Sequence, residues 1–483
     1  MPINEGCAMS SCPLRLSRRG FLKGVGVSAL AANAGLFEFA SSVLGGEPPK
    51  PAGKARVMVA FVRPNVDRYF MGWPGASYDI KARQAQYTKV MQAAAKKLDV
   101  TLDVSDKPLH DQKALDAFLG KVKKDSPDGV LLANMSLNQA WGPVNQFLDK
   151  RGAVPTVVFS PMGTSFTGHL QHGRKIKNAF VGATQDVEWL ATAVRMLSTI
   201  WRMKNSTICF LRGNKTSEQK LGVIGTTFRF LPRARFPEVL KQVEATDEVK
   251  AIAAYYTKEA KKIVEPKAED ILNAAKNYVA CRKIMAAEKC QGISMDCLGL
   301  IGSRQIPCPP CMAFLRLLDE GAVGTCECDG DSAISQLLTA YLCERPGFMQ
   351  DPAPNTVNNT FMVAHCTSPT KLNGFDKPHE PFILRSHSES NLGVAPQVLW
   401  RPGQRITHMK FVGSGRIILG TGKVIRNIDT PPSGGCRTSF EATVDGVADS
   451  RDVKGFHQLV LYGDHEVLIK AYGKLAGIQV THI

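Results

Sequence analysis

The sequence predicts an α/β protein in which two α/β domains precede a β-rich C-terminal domain. Three observations predict it. Residues 53–182 alternate short β-branched runs with stretches of helical periodicity, the rhythm of a parallel sheet covered by helices. Residues 204–369 repeat that rhythm with longer, charged helices. After Pro369, short strand-like runs are set between Gly/Pro turns, which implies a barrel or sandwich. With 44% hydrophobic and 21% charged residues over 483 positions, the chain can build real cores, and disorder is excluded.

In the first domain, expected at residues 53–203, the strands read 56–62, 100–104, 129–134, 156–160 and 179–182. Helical segments at 82–98, 111–123 and 137–150 separate them. No GxGxxG follows the first strand, so a dinucleotide-binding phosphate loop is missing. A helix at 187–203 leads into the second domain, which opens with strand 207–211. Helices at 237–264 and 268–289 follow, then strand 293–295, helix 311–320, strand 323–328 and helix 332–343. Strand 360–365 closes this domain at about residue 369. The last domain, 370–483, holds strands at 382–384, 397–400, 406–412, 416–425, 439–444 and 458–462, and a helix at 465–475.

Residues 1–42 read as an export signal. Ser17-Arg18-Arg19-Gly20-Phe21-Leu22-Lys23 is a twin-arginine motif, and the small, apolar stretch 24–40 is too short and Gly/Ala-rich for a membrane span. The small residues Ala40-Ser41-Ser42 offer a cleavage site. The expectation is passage in folded form through the twin-arginine translocase to the periplasm, or otherwise outside the cytoplasm. The formal charge of +17 would remain near +15 after cleavage and implies acidic surroundings. No basic cluster interleaved with aromatics is present, so no nucleic-acid partner is expected.

Thirteen Cys are present, nine of them between Cys281 and Cys366. Eleven remain after cleavage, an odd number that a disulfide framework does not explain. Cys308-Pro309-Pro310-Cys311 with Cys326-Glu327-Cys328 allows a zinc or redox reading, although Cys-x-Cys is a poor zinc half-site. The densest chemistry is Cys326-Glu327-Cys328-Asp329-Gly330-Asp331, where a strand gives way to a helix. Strand ends in α/β units are where ligands bind, and closely spaced carboxylates suit a hard divalent ion or general acid/base work. Asp331 equally fits a helix N-cap, with alternation along the strand sending Glu327 and Asp329 to one face. His365, His387 in Arg385-Ser386-His387 and His457 stand at element ends and complete the candidate set.

Several motifs resemble the L-fucose isomerase and L-arabinose isomerase superfamily, in its fucose-isomerase-like branch. They include Asp296-Cys297-Leu298, Pro310-Cys311-Met312-Ala313, Thr325-Cys326-Glu327-Cys328-Asp329, Arg345-Pro346-Gly347, Asp351 and His365-Cys366. Trp400-Arg401-Pro402-Gly403-Gln404 and Gly455-Phe456-His457 continue the series, which covers about residues 293–483. The resemblance implies two Rossmann-like α/β domains and a C-terminal β-barrel-like domain in a homo-oligomer. It also implies isomerisation of a monosaccharide between aldose and ketose through an ene-diol at a divalent ion, usually Mn2+. By motif position Asp329 is a metal-binding carboxylate and His457 the imidazole ligand.

The family's second metal-binding carboxylate has no counterpart here. That region reads Ser303-Arg304-Gln305-Ile306, and Gln305 cannot take a proton at neutral pH. Asp296 is the nearest acid to replace it, in both the metal-binding and catalytic roles. Glu327, His365, Arg385 and His387 are expected to orient the sugar. The expectation is therefore an exported, divalent-metal-dependent sugar isomerase. The alternative is a non-catalytic carbohydrate-binding descendant of the same fold, marked by Gln305.

Overall fold

The computed structural model describes residues 50–483, apart from 71–76, 138–139 and 432–433. The export segment lies outside the described residues. Among those described, no helix is long and apolar enough to cross a membrane.

The first sheet is parallel, in the order Thr101–Val104, Arg56–Val62, Gly129–Asn134, Thr156–Ser160, Ala179–Ala183. Its central strands Gly129–Asn134 and Thr156–Ser160 are buried at every residue, as expected where helices cover both faces. Asp79 and Asp111 start two of those helices by accepting hydrogen bonds from the amides of Ala82 and Ala114. Met58, Val130, Phe118, Trp141 and Phe147 form the core on one side.

The second sheet runs Val323–Cys326, Gly292–Met295, Thr207–Leu211, Thr227–Leu231, Ser217–Lys220, parallel except for its last strand. The long helix expected at 237–264 is two helices, Arg235–Leu240 and Asp247–Glu259. Thr246 interrupts it by capping the second through the Val249 amide. A small sheet of Lys262–Ile263, Phe382–Arg385 and Ala395–Val398 ties this domain to the C-terminal part of the chain.

The C-terminal strands form a closed six-stranded barrel. Arg405–Val412, Gln458–Tyr462, Phe348–Asn355, Thr360–His365, Thr438–Ala442 and Arg416–Asn427 pair in turn, and the last pairs back to the first. Closure removes the free edges that an open sheet would expose. Gln479–His482 adds in parallel to the outside of Arg416–Asn427. Trp400 is buried against Phe440, with ring centroids 4.6 Å apart, and Phe348 and Tyr462 complete this aromatic cluster.

The barrel therefore begins earlier in the chain than expected. Thr360–His365 pairs with barrel strands and not with the central sheet, and Phe348–Asn355 is a barrel strand that the sequence pattern concealed. Its Pro352 and Pro354 argue locally against a strand.

Candidate functional site

The site grows from the end of strand Val323–Cys326. The strand stops at Cys326, so alternation does not extend through Asp329. Glu327 and Cys328 instead adopt left-handed conformations (φ 60° and 55°), which turn the chain before the next helix. Asp329, not Asp331, is the N-cap of helix Gly330–Leu338, its Oδ1 accepting from the Ser332 amide at 2.6 Å. Asp331 Oδ1 accepts from the Gly413 amide on the barrel at 3.1 Å.

The second carboxylate oxygen of Asp329 reaches the barrel. His457 Nδ1 lies 2.9 Å from Asp329 Oδ2, and Lys410 Nζ lies 3.7 Å from the same atom. Burial raises the Asp329 pKa, but the His457 hydrogen bond, the Ser332 amide and the Lys410 charge outweigh it and hold the carboxyl below its ordinary value. His457 is itself in the left-handed region (φ 52°). Its carbonyl accepts from Ser332 Oγ at 2.9 Å, so backbone and ring are both fixed against the helix start. Lys410 also donates to the Phe456 carbonyl.

This arrangement commits His457 Nδ1 to Asp329 and leaves Nε2 facing Asp351 and Glu327, two residues that line a cavity of about 60 Å³. Asp351 Oδ1 lies 3.3 Å from Nε2, and Glu327 Oε2 lies 3.6 Å from it. His365 Nε2 stands 3.6 Å from Glu327 Oε1. One ligand atom from each of Glu327, His365 and His457 falls within 4.8 Å of the others, a spacing that can hold a metal ion. A carboxylate bound to the far nitrogen of an imidazole is the usual support of a metal-ligating His, which gives Asp329 a positioning role.

The charges agree with this grouping. The His365 interaction, working against burial, holds the Glu327 carboxyl below its usual range. Burial lowers the His365 pKa, but Glu327, Cys366 and Asp351 reverse it and leave the imidazole above its ordinary value. Burial pushes Asp351 up in spite of both imidazoles. His365 Nδ1 and Asp351 Oδ1 are buried with no hydrogen-bond partner in the protein, the kind of polar atoms a ligand would satisfy.

The remaining expected residues divide between the cavity and other duties. His387 is buried and lines the cavity, with Nδ1 3.0 Å from Ser390 Oγ. Arg385 is buried in an ion pair with Glu265 at 2.7 Å and also donates to Gln397. Asp296 caps helix Cys297–Gly302 through the Gly299 amide and pairs with Arg233 at 2.7 Å. Gln305 is exposed just beyond that helix. The four cysteines of the zinc reading point different ways. Cys308 faces the Pro309 carbonyl and Cys328 the Leu211 carbonyl, whereas Cys311 and Cys326 line the cavity.

Two site residues escaped the sequence reading. Asp351 was visible only as a motif match, because its strand carries two prolines, and Lys410 is hidden among the apolar residues of strand Arg405–Val412.

No family model and no curated protein matches the chain. Solved structures that match include a sugar ABC transporter protein from Yersinia enterocolitica subsp. enterocolitica 8081, at 13% identity over 61% of this chain and 83% of that one, TM-score 0.20. A solute-binding protein from Agrobacterium vitis bound to α-D-tagatopyranose matches at 12% identity over 61% and 90%, TM-score 0.18. A carbohydrate transporter protein from Acidothermus cellulolyticus 11B in complex with myo-inositol matches at 14% over 60% and 87%, TM-score 0.19.

The expectation of a metal-dependent isomerase is corrected. Within the chain, Asp296 is spent on Arg233 and a helix cap and does not line the cavity, so the carboxylate expected to replace the lost one is not delivered.

Proposed function

We propose that this protein is a non-catalytic carbohydrate-binding descendant of the fucose-isomerase-like fold, working outside the cytoplasm. One observation carries the reading: Asp351 Oδ1 and His365 Nδ1 are buried at the cavity with no hydrogen bond from the protein, Asp351 Oδ1 facing His457 Nε2 at 3.3 Å, beside the Glu327 carboxylate. Sugar hydroxyls both donate and accept, so they can satisfy a carboxylate oxygen and an imidazole nitrogen at once. The cavity is wide enough for roughly four waters and therefore for the hydroxyl edge of a sugar. Gln305, exposed where a carboxylate is expected, supports binding without proton transfer.

The same walls fit a divalent ion. Glu327, His365 and His457 would hold it, with Asp351 beside them, and the ion would polarise neighbouring sugar hydroxyls. The carboxylate suits Mn2+, and the two imidazoles equally suit Zn2+ or Fe2+.

The test is calorimetry on the purified protein with a panel of monosaccharides and inositols, with and without Mn2+, beside an assay for exchange of the C2 hydrogen with solvent. Saturable binding that is weakened in Asp351→Asn, with no exchange, is the expected result. Exchange at C2, or the absence of binding across the panel, would sink the proposal.

A further inference from the structure

The same cavity holds a second chemistry. Five thiols line it: Cys297, Cys311, Cys326, Cys366 and Cys436. Among them Cys436 packs against the cluster of Cys311, Cys366 and Ala395. None of the eleven cysteines of the described residues is joined in a disulfide. We propose that Cys366 and Cys436 form a redox-active dithiol that opens into this cavity and exchanges with small-molecule disulfides.

Topology brings the pair together. Cys366 follows strand Thr360–His365, and Cys436 precedes strand Thr438–Ala442. The antiparallel register sets His365 against Thr438, so both thiols lie just past the same end of this ladder. Cys311 packs against them and keeps the wall apolar. Access separates this pair from Cys297 and Cys326. Cys297 and Cys326 are 8% and 4% exposed, whereas in the proposed pair only Cys366, at 5%, is buried, and Cys436 is half-buried. An entering disulfide therefore meets Cys436 first.

The exchange balances without a further oxidant. Cys436 loses its proton to water and its thiolate attacks one sulfur of the small disulfide, that S–S bond breaks, and one small thiolate leaves and takes up a proton. Cys366 then loses its proton to water and attacks the Cys436 sulfur, releasing the second small thiol. Two protein thiols are oxidised by two electrons, and one disulfide is reduced to two thiols. Cys366 Sγ now sits 3.5 Å from Ser388 Oγ, between His387 and Glu389, which both line the cavity. Forming the bond draws Cys366 away from that hydroxyl and so couples the thiol state to the cavity wall.

The experiment equilibrates the whole reduced chain in mixtures of oxidised and reduced glutathione under native conditions. The reaction is quenched by alkylation, and the linkages are mapped by peptide mass spectrometry. The expected product is the Cys366–Cys436 disulfide. Cys366→Ser should trap a stable glutathione adduct on Cys436, and Cys436→Ser should slow reaction at Cys366 by about tenfold or more, because that thiol is buried. Preferential linkage of Cys297 to Cys326, the absence of any linkage, or an undiminished rate at Cys366 in Cys436→Ser would overturn the proposal. The mapping of the unmutated chain stands even if a variant fails to fold. No sugar enters the assay, so its result is independent of the carbohydrate reading.

Discussion

Asp296 and Asp329 stand at matching places on neighbouring parallel strands, and each caps the helix that follows its strand. Their surroundings differ completely. Asp296 follows its strand directly and turns to Arg233, with its side chain 39% exposed. Asp329 is separated from its strand by the left-handed pair Glu327 and Cys328, and it meets His457 and Lys410 of the barrel with its side chain 18% exposed. Two inserted residues thus change a capping carboxylate into one that orients an imidazole. The local sequence specifies the cap, and the distant strand decides what the other oxygen does.

The largest expected effect breaks this comparison directly. Asp329→Ala removes a cap and leaves Lys410 and His457 without their shared partner, which should cost about 3 kcal/mol or more. Asp296→Ala should cost about 1 kcal/mol, mainly the lost cap, because its ion pair is largely solvated. Urea unfolding of both variants measures the difference. Equal losses would show that the barrel contact adds nothing.

The second prediction sharpens it through the ion. At a hundredfold excess over its dissociation constant, Mn2+ should stabilise the protein by about 2.7 kcal/mol, seen as a rise in Tm. Glu327→Gln and His457→Ala should abolish the rise, and Asp296→Asn should leave it intact. A rise that survives both site variants would place the ion elsewhere.

Smaller effects come from pH. The Asp329 carboxyl is held low in the folded state, so its stabilisation is complete above the ordinary aspartate value near 3.8 and is lost as pH falls below it. Asp351 is raised by burial, so the fold binds its proton more tightly, and stability declines as pH rises from about 3.8 through the raised value. Asp351→Asn should therefore be the more stable protein at pH 7 and lose that advantage in acid. Chemical denaturation at several pH values checks the sign.

The same residues show how much of the molecule was legible in its sequence. The first parallel sheet could be read because its strands are continuous apolar runs buried on both faces, a pattern that needs no knowledge of partners. Asp329 and His457 were visible as candidates, but the 2.9 Å bond between them joins positions 128 residues apart and has no local sign. Asp296 was expected in the site because a capping aspartate after a strand looks the same in either environment. Asp351 was obscured by Pro352 and Pro354, which the strand tolerates because its pairing with Gln458–Tyr462 ends at Gln350 and leaves the proline segment a partner on one side only. Lys410 is read from sequence as a solvated charge, whereas its ammonium is satisfied by Asp329 and the Phe456 carbonyl.

The left-handed pair at Glu327 and Cys328 has a consequence for how durable this site is under mutation. A non-glycine residue held in that conformation costs about 1 kcal/mol, and glycine would relax it. Glu327→Gly should therefore make the protein slightly more stable while deleting the carboxylate that faces both imidazoles. In a deep mutational scan, glycine at 327 should be enriched when the library is sorted for folding and depleted when it is sorted for ligand capture. The cleft is then an erasable feature, retained only as long as selection acts on binding.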